Sequence, residues 1–405
     1  MRKINAKHWW HSTKDYSISK SMMTEERISK LLELETPCYA YDLVHLRATA
    51  KLALNEAEKY GFHVHYAMKA NGHERILETF SSMGFGADCV SGGEVRAALA
   101  NGFKPEKIAF AGVGKTDSEI DFAIEQKIFS LNVESLEELQ VINERAGALS
   151  EKVRVALRLN PDVNAKTHHY ITTGLEENKF GISEWQFSEL FELMEQCHNV
   201  DFTGLHFHIG SQIKDLEPFK NLCNRANELQ RMFENHGYRF THLNVGGGLG
   251  IDYDDPDNVE NPDFSGYFKL FHDFLELKPG QELHFELGRS LVANCGDLIA
   301  KVVFVKKGRK TNFVILDAGM TELIRPALYQ AYHRIENISR VESPASERYD
   351  VVGPICESSD CFGKAVYLPE TQRGDVMAIR SAGAYGECMA SGYNMRSLHA
   401  SVVNE

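Results

Sequence analysis

Five short stretches, far apart in the chain, carry residues whose types could do chemistry together. Lys69 ends the apolar run Val64-His65-Tyr66-Ala67-Met68 and is followed at once by Ala70-Asn71. An amine so placed can reach into a cleft and hold an aldehyde cofactor as a Schiff base. Gly246-Gly247-Gly248-Leu249-Gly250 follows the apolar His242–Val245. Glycines let backbone N–H groups approach an anion such as a phosphate, although a tight turn would read the same way. Glu286-Leu287-Gly288-Arg289-Ser290 offers a carboxylate that would keep a pyridine nitrogen protonated. Arg289 offers a fork for phosphate or carboxylate. Alone, the last motif reads as a Glu–Arg ion pair spaced three apart. His206-Phe207-His208-Ile209-Gly210-Ser211-Gln212 alternates about a strand, so His206 and His208 share a face. His208 can stack on a flat ring and Ser211 can hydrogen-bond beside it. A metal ranks lower, because no third ligand stands at suitable spacing, and none is expected.

The fifth stretch, Gly353-Pro354-Ile355-Cys356-Glu357-Ser358, puts a thiol beside an acid. The pair could donate a proton or orient an amine, but by itself reads as a strand-end turn. Arg325-Pro326-Ala327-Leu328-Tyr329, Gly383-Ala384-Tyr385-Gly386 and Ser391-Gly392-Tyr393-Asn394 add a cation and phenols in loops.

Positioning these groups requires a repeating scaffold. Short β-rich runs are predicted at His63–Met68, Gly84–Cys89, Lys107–Ala111, Ile128–Val133, Val153–Leu159, Thr203–Ile209, His242–Val245 and Glu282–Glu286. Helical patterns lie between them, at Gly92–Asn101, Asp117–Gln126, Ser135–Ala146 and Glu184–Cys197. Eight β/α units in about 250 residues match a parallel (β/α)8 barrel, although a doubly wound open sheet would alternate similarly. Each run ends on its Lys, Asp, Asn, His, Gly or Glu, the catalytic end of such barrels. After Arg289 the pattern becomes short strands split by Gly, Pro and charged turns: Asp297–Lys306, Thr311–Asp317, Asp350–Ile355, Lys364–Leu368 and Gly374–Ser381. That predicts an antiparallel β domain. The first forty residues fit neither pattern and are expected to pack with it.

The bulk numbers narrow the partners. A chain of 405 residues is too long for one ordinary core, so two domains are expected. A formal charge of −13 argues against nucleic acid or an anionic membrane as partner. No apolar run approaches the roughly 18–20 residues that span a bilayer, and the N-terminus does not read as a secretory signal. The eight cysteines form no CxxC pair, which fits reduced thiols in a cytoplasm.

In content and order, Tyr66–Asn71, His206–Gln212, Gly246–Gly250, Glu286–Arg289, Cys356-Glu357 and Gly392-Tyr393-Asn394 resemble the fold-type III PLP-dependent amino-acid decarboxylases, from about Thr36 to Asn394. The resemblance implies pyridoxal 5'-phosphate as cofactor and a barrel over 40–290 that binds it. It also implies a β-sandwich or Greek-key-like barrel domain, from 1–39 and 291–405, that completes the partner's active site. Lys69 would carry the cofactor, His208 would stack on its ring and Glu286 would meet its nitrogen. Asp88, Ser211, Gly246, Gly247, Gly248, Gly288, Arg289 and Tyr393 would complete the cofactor's surroundings. Cys356 and Glu357 would arrive across the interface of a homodimer with shared sites.

Substrate choice rests on fewer residues. Arg325, Tyr329 and Glu357 resemble the members acting on diaminopimelate; relatives acting on ornithine have aspartate after the cysteine. An arginine and a glutamate suit a zwitterionic far end, its carboxylate on Arg289 or Arg325 and its amine on Glu357, with Tyr329 and Tyr393 beside them. Leu287 stands where proline is common, and Ser359 where glycine is. The implied reaction takes CO2 from the D-configured centre of meso-2,6-diaminopimelate to give L-lysine, the last step of lysine biosynthesis, with Cys356 or a neighbour returning a proton to Cα. Alternatives are a decarboxylase of ornithine, arginine or carboxynorspermidine. A racemase would place arginine at Glu286, and a noncatalytic regulator would be expected to lack Lys69 or Cys356.

Overall fold

The computed structural model describes residues 23–163, 179–258, 262–398 and 400–404. Helix α1 (Glu25–Leu32), strand β1 (Cys38–Asp42) and helix α2 (Leu43–Glu58) come first. A strict alternation follows: β2 (His63–Ala67), α3 (Glu74–Ser82), β3 (Gly86–Cys89), α4 (Gly92–Ala100), β4 (Ile108–Phe110), α5 (Asp117–Glu125), β5 (Ser130–Val133) and α6 (Leu136–Ala148). It continues with β6 (Val153–Arg158), α7 (Phe187–Gln196), β7 (Val200–His206), α8 (Glu217–Asn235), β8 (His242–Asn244), α9 (Phe264–Phe274) and β9 (Glu282–Leu287). Strands β2 to β9 pair in parallel and in order, and β2 pairs with β9 to close the ring. Both faces of these strands are covered, so they read as apolar runs rather than alternations.

Polar residues at the strand-to-helix turns start the helices. Ser91, Ser135 and Asp263 accept the backbone N–H of Glu94, Glu138 and Gly266, and Thr116 with Glu119 forms a reciprocal cap on α5. Each such cap is worth about 1 kcal/mol. Five strands (β2, β4, β6, β7 and β8) stop earlier than their apolar runs suggest, β3 and β5 end where expected, and β9 runs one residue further. Strand β2 ends at Ala67 and gives way to a single tight turn, Met68–Ala70, which carries Lys69. Strand β7 ends at His206, so His206 belongs to the barrel wall and His208 to the loop above it.

The remaining strands are β10 (Gly296–Lys306), β11 (Asn312–Leu316), β12 (Ile335–Asn337), β13 (Glu347–Val352), β14 (Cys361–Leu368), β15 (Val376–Ile379) and β16 (Val402–Asn404). They form a second sheet of order β12-β15-β10-β11-β13-β14, with β1 joined to β10 and β16 to β1. Most pairs are antiparallel, as expected. Two are not: β11 pairs with β13, and β1 with β16, in parallel. The long excursion between β11 and β13, through β12, lets the chain return in the same direction. Three strands (β1, β12 and β16) were not read from the sequence; each is placed by pairing with a strand distant in the chain. Of the first forty residues, 1–22 lie outside the described residues; beyond them Leu31, Cys38 and Ala40 share a small core with Ile299, Ile338, Val376 and Ala378.

Sheet and barrel meet beside the lysine. Asn71 donates to the Gly383 carbonyl and the Tyr41 hydroxyl, both at 2.9 Å, and the Tyr385 N–H donates to the Ala70 carbonyl at 2.7 Å. The loop that follows β15 therefore clamps the turn bearing Lys69.

Candidate active site

Lys69 and Asp88 face each other across the strand ends of β2 and β3, with Nζ 2.5 Å from Oδ2. Asp88 is fully buried and its other oxygen has no hydrogen-bond partner. Burial and the nearby Glu286 carboxylate push its pKa up to about 6, against the pull of Lys69. Burial opposes the Lys69 ammonium, but Asp88, Tyr385 and Glu286 more than offset it and hold the amine protonated.

Glu286, next to the last residue of β9, is held by three other strands. Its Oε1 accepts from Asn244 at 2.7 Å and Asn132 at 3.4 Å; its Oε2 meets His206 Nε2 at 3.0 Å. A carboxylate only accepts, so His206 donates through Nε2. Burial raises the Glu286 pKa, yet the His206 imidazole, its hydrogen bond and the Lys69 charge outweigh burial and keep the group ionised well below the usual range. The ion pair with Arg289, read from the spacing of three, does not form. Arg289 turns the other way, donating to Tyr253 at 2.7 Å and to Ser211 at 3.3 Å.

The glycine run has a steric reason of its own. A Cβ on Gly247 would lie 1.9 Å from the Glu286 carbonyl oxygen, and one on Gly246 would lie 2.5 Å from that of Phe207. Gly248 has φ +113° and would place a Cβ 2.7 Å from the Gly210 carbonyl oxygen. Only bare backbone fits between β7, β8 and β9 here. The Gly247 N–H donates to His208 Nδ1 at 3.3 Å, fixing that ring over the cleft. Burial, Arg158 and Lys69 hold the His208 pKa down to about 3, so the ring is neutral.

A cleft of about 280 Å³ collects Lys69, Asp88, His206, His208, Ser211, Gly248, Glu286, Gly288 and Arg289. Arg158 and Tyr385 line the same space. Gly246 and Gly247 lie behind its wall rather than on it. A second cleft of about 270 Å³ adjoins through Arg289 and is lined by Tyr253, Arg325 and Tyr329. There the Tyr253 hydroxyl takes Nη1 of both arginines, at 2.7 Å from Arg289 and 2.8 Å from Arg325.

Cys356, Glu357 and Tyr393 lie elsewhere. None lines either cleft; all three are exposed. Tyr393 donates to Glu357 at 2.9 Å, and the Cys356 N–H donates to the Asn394 side chain at 3.2 Å. Within one chain, then, Tyr393 belongs with the thiol–acid pair and not with the cofactor's surroundings.

Sequence reasoning missed Asn132, Asn244, Arg158 and Tyr253, and left His206 without its role; Tyr385, read there only as a loop phenol, lines the cleft. The strand-end signal that found Lys69 also marks Asn132, and Asn244 closes β8. Tyr253, in an acidic loop, carries no such signal.

Fold and site together define a barrel enzyme whose strand-end lysine faces two buried carboxylates. Residues 44–293 match the family model "Pyridoxal-dependent decarboxylase, pyridoxal binding domain". A diaminopimelate decarboxylase from Bacteroides thetaiotaomicron is 56% identical over 372 residues, covering 92% of this chain and 96% of that one. One from Vibrio cholerae is 44% identical, covering 91% of this chain and 87% of that one. The crystal structure of diaminopimelate decarboxylase from Helicobacter pylori complexed with L-lysine superposes with a TM-score of 0.85 at 39% identity, covering 93% of each chain. The chain belongs to the pyridoxal-dependent decarboxylases and, within them, to the diaminopimelate decarboxylase family. Its cofactor is pyridoxal 5'-phosphate.

The cleft fits that cofactor. It offers an amine for the aldehyde, an ionised acid for the ring nitrogen and a neutral imidazole for the ring face. The buried Arg289 Nε has no hydrogen-bond partner, which suits a phosphate arriving beside Gly248.

Proposed function

We propose that this chain removes CO2 from the D-configured centre of meso-2,6-diaminopimelate to give L-lysine, the last step of lysine biosynthesis, as a cytoplasmic homodimer. The observation that carries the substrate assignment is the pair of buried arginines joined through Tyr253 beside the Lys69 cleft. A substrate with an amino-acid group at each end carries a second carboxylate away from the bond that breaks, and that far end needs cations of its own. Arg289, Arg325 and Tyr329 serve the far carboxylate, and Glu357 its amine. Arginine or ornithine would leave the far cations without an anion.

Pyridoxal phosphate supplies the electron sink for the pair left when the Cα–carboxylate bond breaks. The protein does the rest. Lys69 would hold the cofactor between turnovers. Asp88 anchors the Lys69 ammonium while it is charged. Glu286, kept ionised by His206, would favour a proton on the ring nitrogen. His208, fixed by the Gly247 N–H, would cover the ring face and exclude water from it. Cys356 delivers a proton to Cα in place of the lost CO2, and its thiolate regains a proton from water.

Homodimerisation is supported by the position of Cys356, Glu357 and Tyr393, which need a second copy to reach a cleft. Exposed apolar side chains beside them, Met395 at 98% and Leu398 at 65%, suit a surface that a partner covers. A cytoplasmic setting is supported by eight unpaired thiols, and no helix among the described residues is long and apolar enough to cross a membrane.

The test is lysine and CO2 formation from meso-diaminopimelate by the full chain with added cofactor. Turnover of ornithine or arginine but not diaminopimelate would overturn the reading. Lys69→Ala should abolish both turnover and the cofactor's absorbance on the protein. Arg325→Ala and Glu357→Ala should raise KM for diaminopimelate sharply.

A further inference from the structure

The opposite end of the barrel carries a second chemical cluster. His63 opens β2, Glu282 opens β9, and His284 stands two residues further on, opposite His63 in the register of those two strands. One ligand atom from each lies within 4.8 Å of the others. Among the described residues this is the one such cluster.

Its hydrogen bonds fix where the protons are. His65 Nδ1 lies 3.1 Å from the Lys107 carbonyl oxygen, which can only accept. His65 must therefore carry its proton on Nδ1 and present a lone pair at Nε2. That lone pair faces His284 Nδ1 at 2.8 Å, so His284 donates there and keeps its own lone pair at Nε2. His284 Nε2 in turn points at Glu282 Oε2, 3.2 Å away. Two acceptors face each other, an arrangement that calls for a cation between them. The rings of His63, His65 and His242 pack around that of His284, at 4.8, 5.1 and 5.3 Å, and hold it in place.

We propose that His63, Glu282 and His284 bind one divalent cation of the zinc class, which staples the seam where the first and last barrel strands meet. Two imidazoles and a carboxylate are a donor set suited to zinc and its neighbours rather than to calcium or magnesium. Tetrahedral zinc wants ligand atoms about 3.3–3.5 Å apart. His284 Nε2 and Glu282 Oε2, at 3.2 Å, lie just inside that spacing, and His63 Nε2 is 3.9 Å from Glu282 Oε2. The His63 and Glu282 side chains are about half exposed (49% and 55%) and free to close in, while His284 is held by its relay to His65. A carbonyl–imidazole relay behind a ligating imidazole is the usual second layer of such sites. The cluster opens to solvent through a cleft of about 260 Å³, which gives the ion an entry path. Water would complete the coordination. Placed at the stability face of the barrel and far from Lys69, the ion would act on folding and not on turnover.

The experiment uses the untagged, cofactor-loaded full chain after chelator treatment. Calorimetric titration with Zn2+ should find one equivalent that the variant H63A/E282Q lacks, and Co2+ in its place should develop visible ligand-field bands. Zinc should raise the thermal midpoint of the parent chain and leave that of the variant unmoved, with turnover equal in both. Should the double variant fail to fold, His63→Ala alone should weaken zinc binding by about tenfold or more. Equal zinc uptake by parent and variant, or none by the parent, would overturn the site; the latter would leave a proton between His284 and Glu282.

Discussion

Tyr253 stands between two buried guanidinium groups, and its hydroxyl accepts a hydrogen bond from each. Burial would raise its pKa; Arg289 and Arg325 outweigh burial and lower it instead. The phenol oxygen thus gives both cations an acceptor before a carboxylate arrives. Tyr253→Phe removes that acceptor from both. Each arginine would lose a hydrogen bond in a buried setting, at about 1–3 kcal/mol in total stability of the apo chain. Positioning of the far carboxylate would suffer more than bond breaking, so KM for diaminopimelate should rise about tenfold or more while kcat changes little. Steady-state kinetics beside urea unfolding would check both. A lowered kcat at unchanged KM would place Tyr253 with the reacting atoms. Lys69, His208 and Glu286 were legible in the sequence because each ends an apolar run, where a barrel gathers its chemistry. Tyr253 was not, because its loop becomes part of the site only through contacts with Arg289 and Arg325, distant in sequence.

At the scale of elements, the strand ends are packed so tightly that side-chain size decides whether they hold Glu286. Gly247 has no positive φ; what it lacks is room, since its Cβ would lie 1.9 Å from the Glu286 carbonyl oxygen. Gly247→Ala must push the end of β8 away from β9. It should cost about 1–3 kcal/mol or more and loosen cofactor retention, because the displaced backbone carries Glu286. Gly114 is the control: nothing lies within 4 Å of where its methyl would stand, and alanine there should change stability by no more than about 0.5 kcal/mol. Urea midpoints and cofactor absorbance of the two variants test this, and equal effects would remove the steric account. The same packing explains which elements could be read in advance. The barrel's alternation is long and regular enough to be seen in the apolar pattern. Strands β1, β12 and β16 are held in place by pairing with distant strands, and the parallel pairing of β11 with β13 depends on an excursion no local pattern encodes.

For the whole molecule, two properties follow from what is buried and what is left bare. His242 and His333 are each 2% exposed. Burial, with His65 and Arg325 as the next causes, holds their pKa values down to about 3. In the unfolded chain they titrate near 6.5, so the unfolded state takes up protons first. Their contribution to stability is complete above about pH 6.5 and is lost as the pH falls toward 3. At about 1.4 kcal/mol per pH unit, each costs the apo chain about 2 kcal/mol by pH 5. The urea midpoint should therefore drop between pH 7.5 and 5, and a flat profile would mean that the fold accepts those protons. The bare surface makes the other demand. If Cys356 serves a cleft on a second copy, then a chain lacking Lys69 and a chain lacking Cys356 are defective in different halves of the same site. Mixed after unfolding, Lys69→Ala and Cys356→Ala chains would form a hybrid in which one cleft has both defects and the other has neither. Random assortment makes about half of the dimers hybrid, so activity should return to about one quarter of the parent from two inactive proteins. A monomeric enzyme, or a dimer whose clefts are each built from one chain, would recover nothing on mixing.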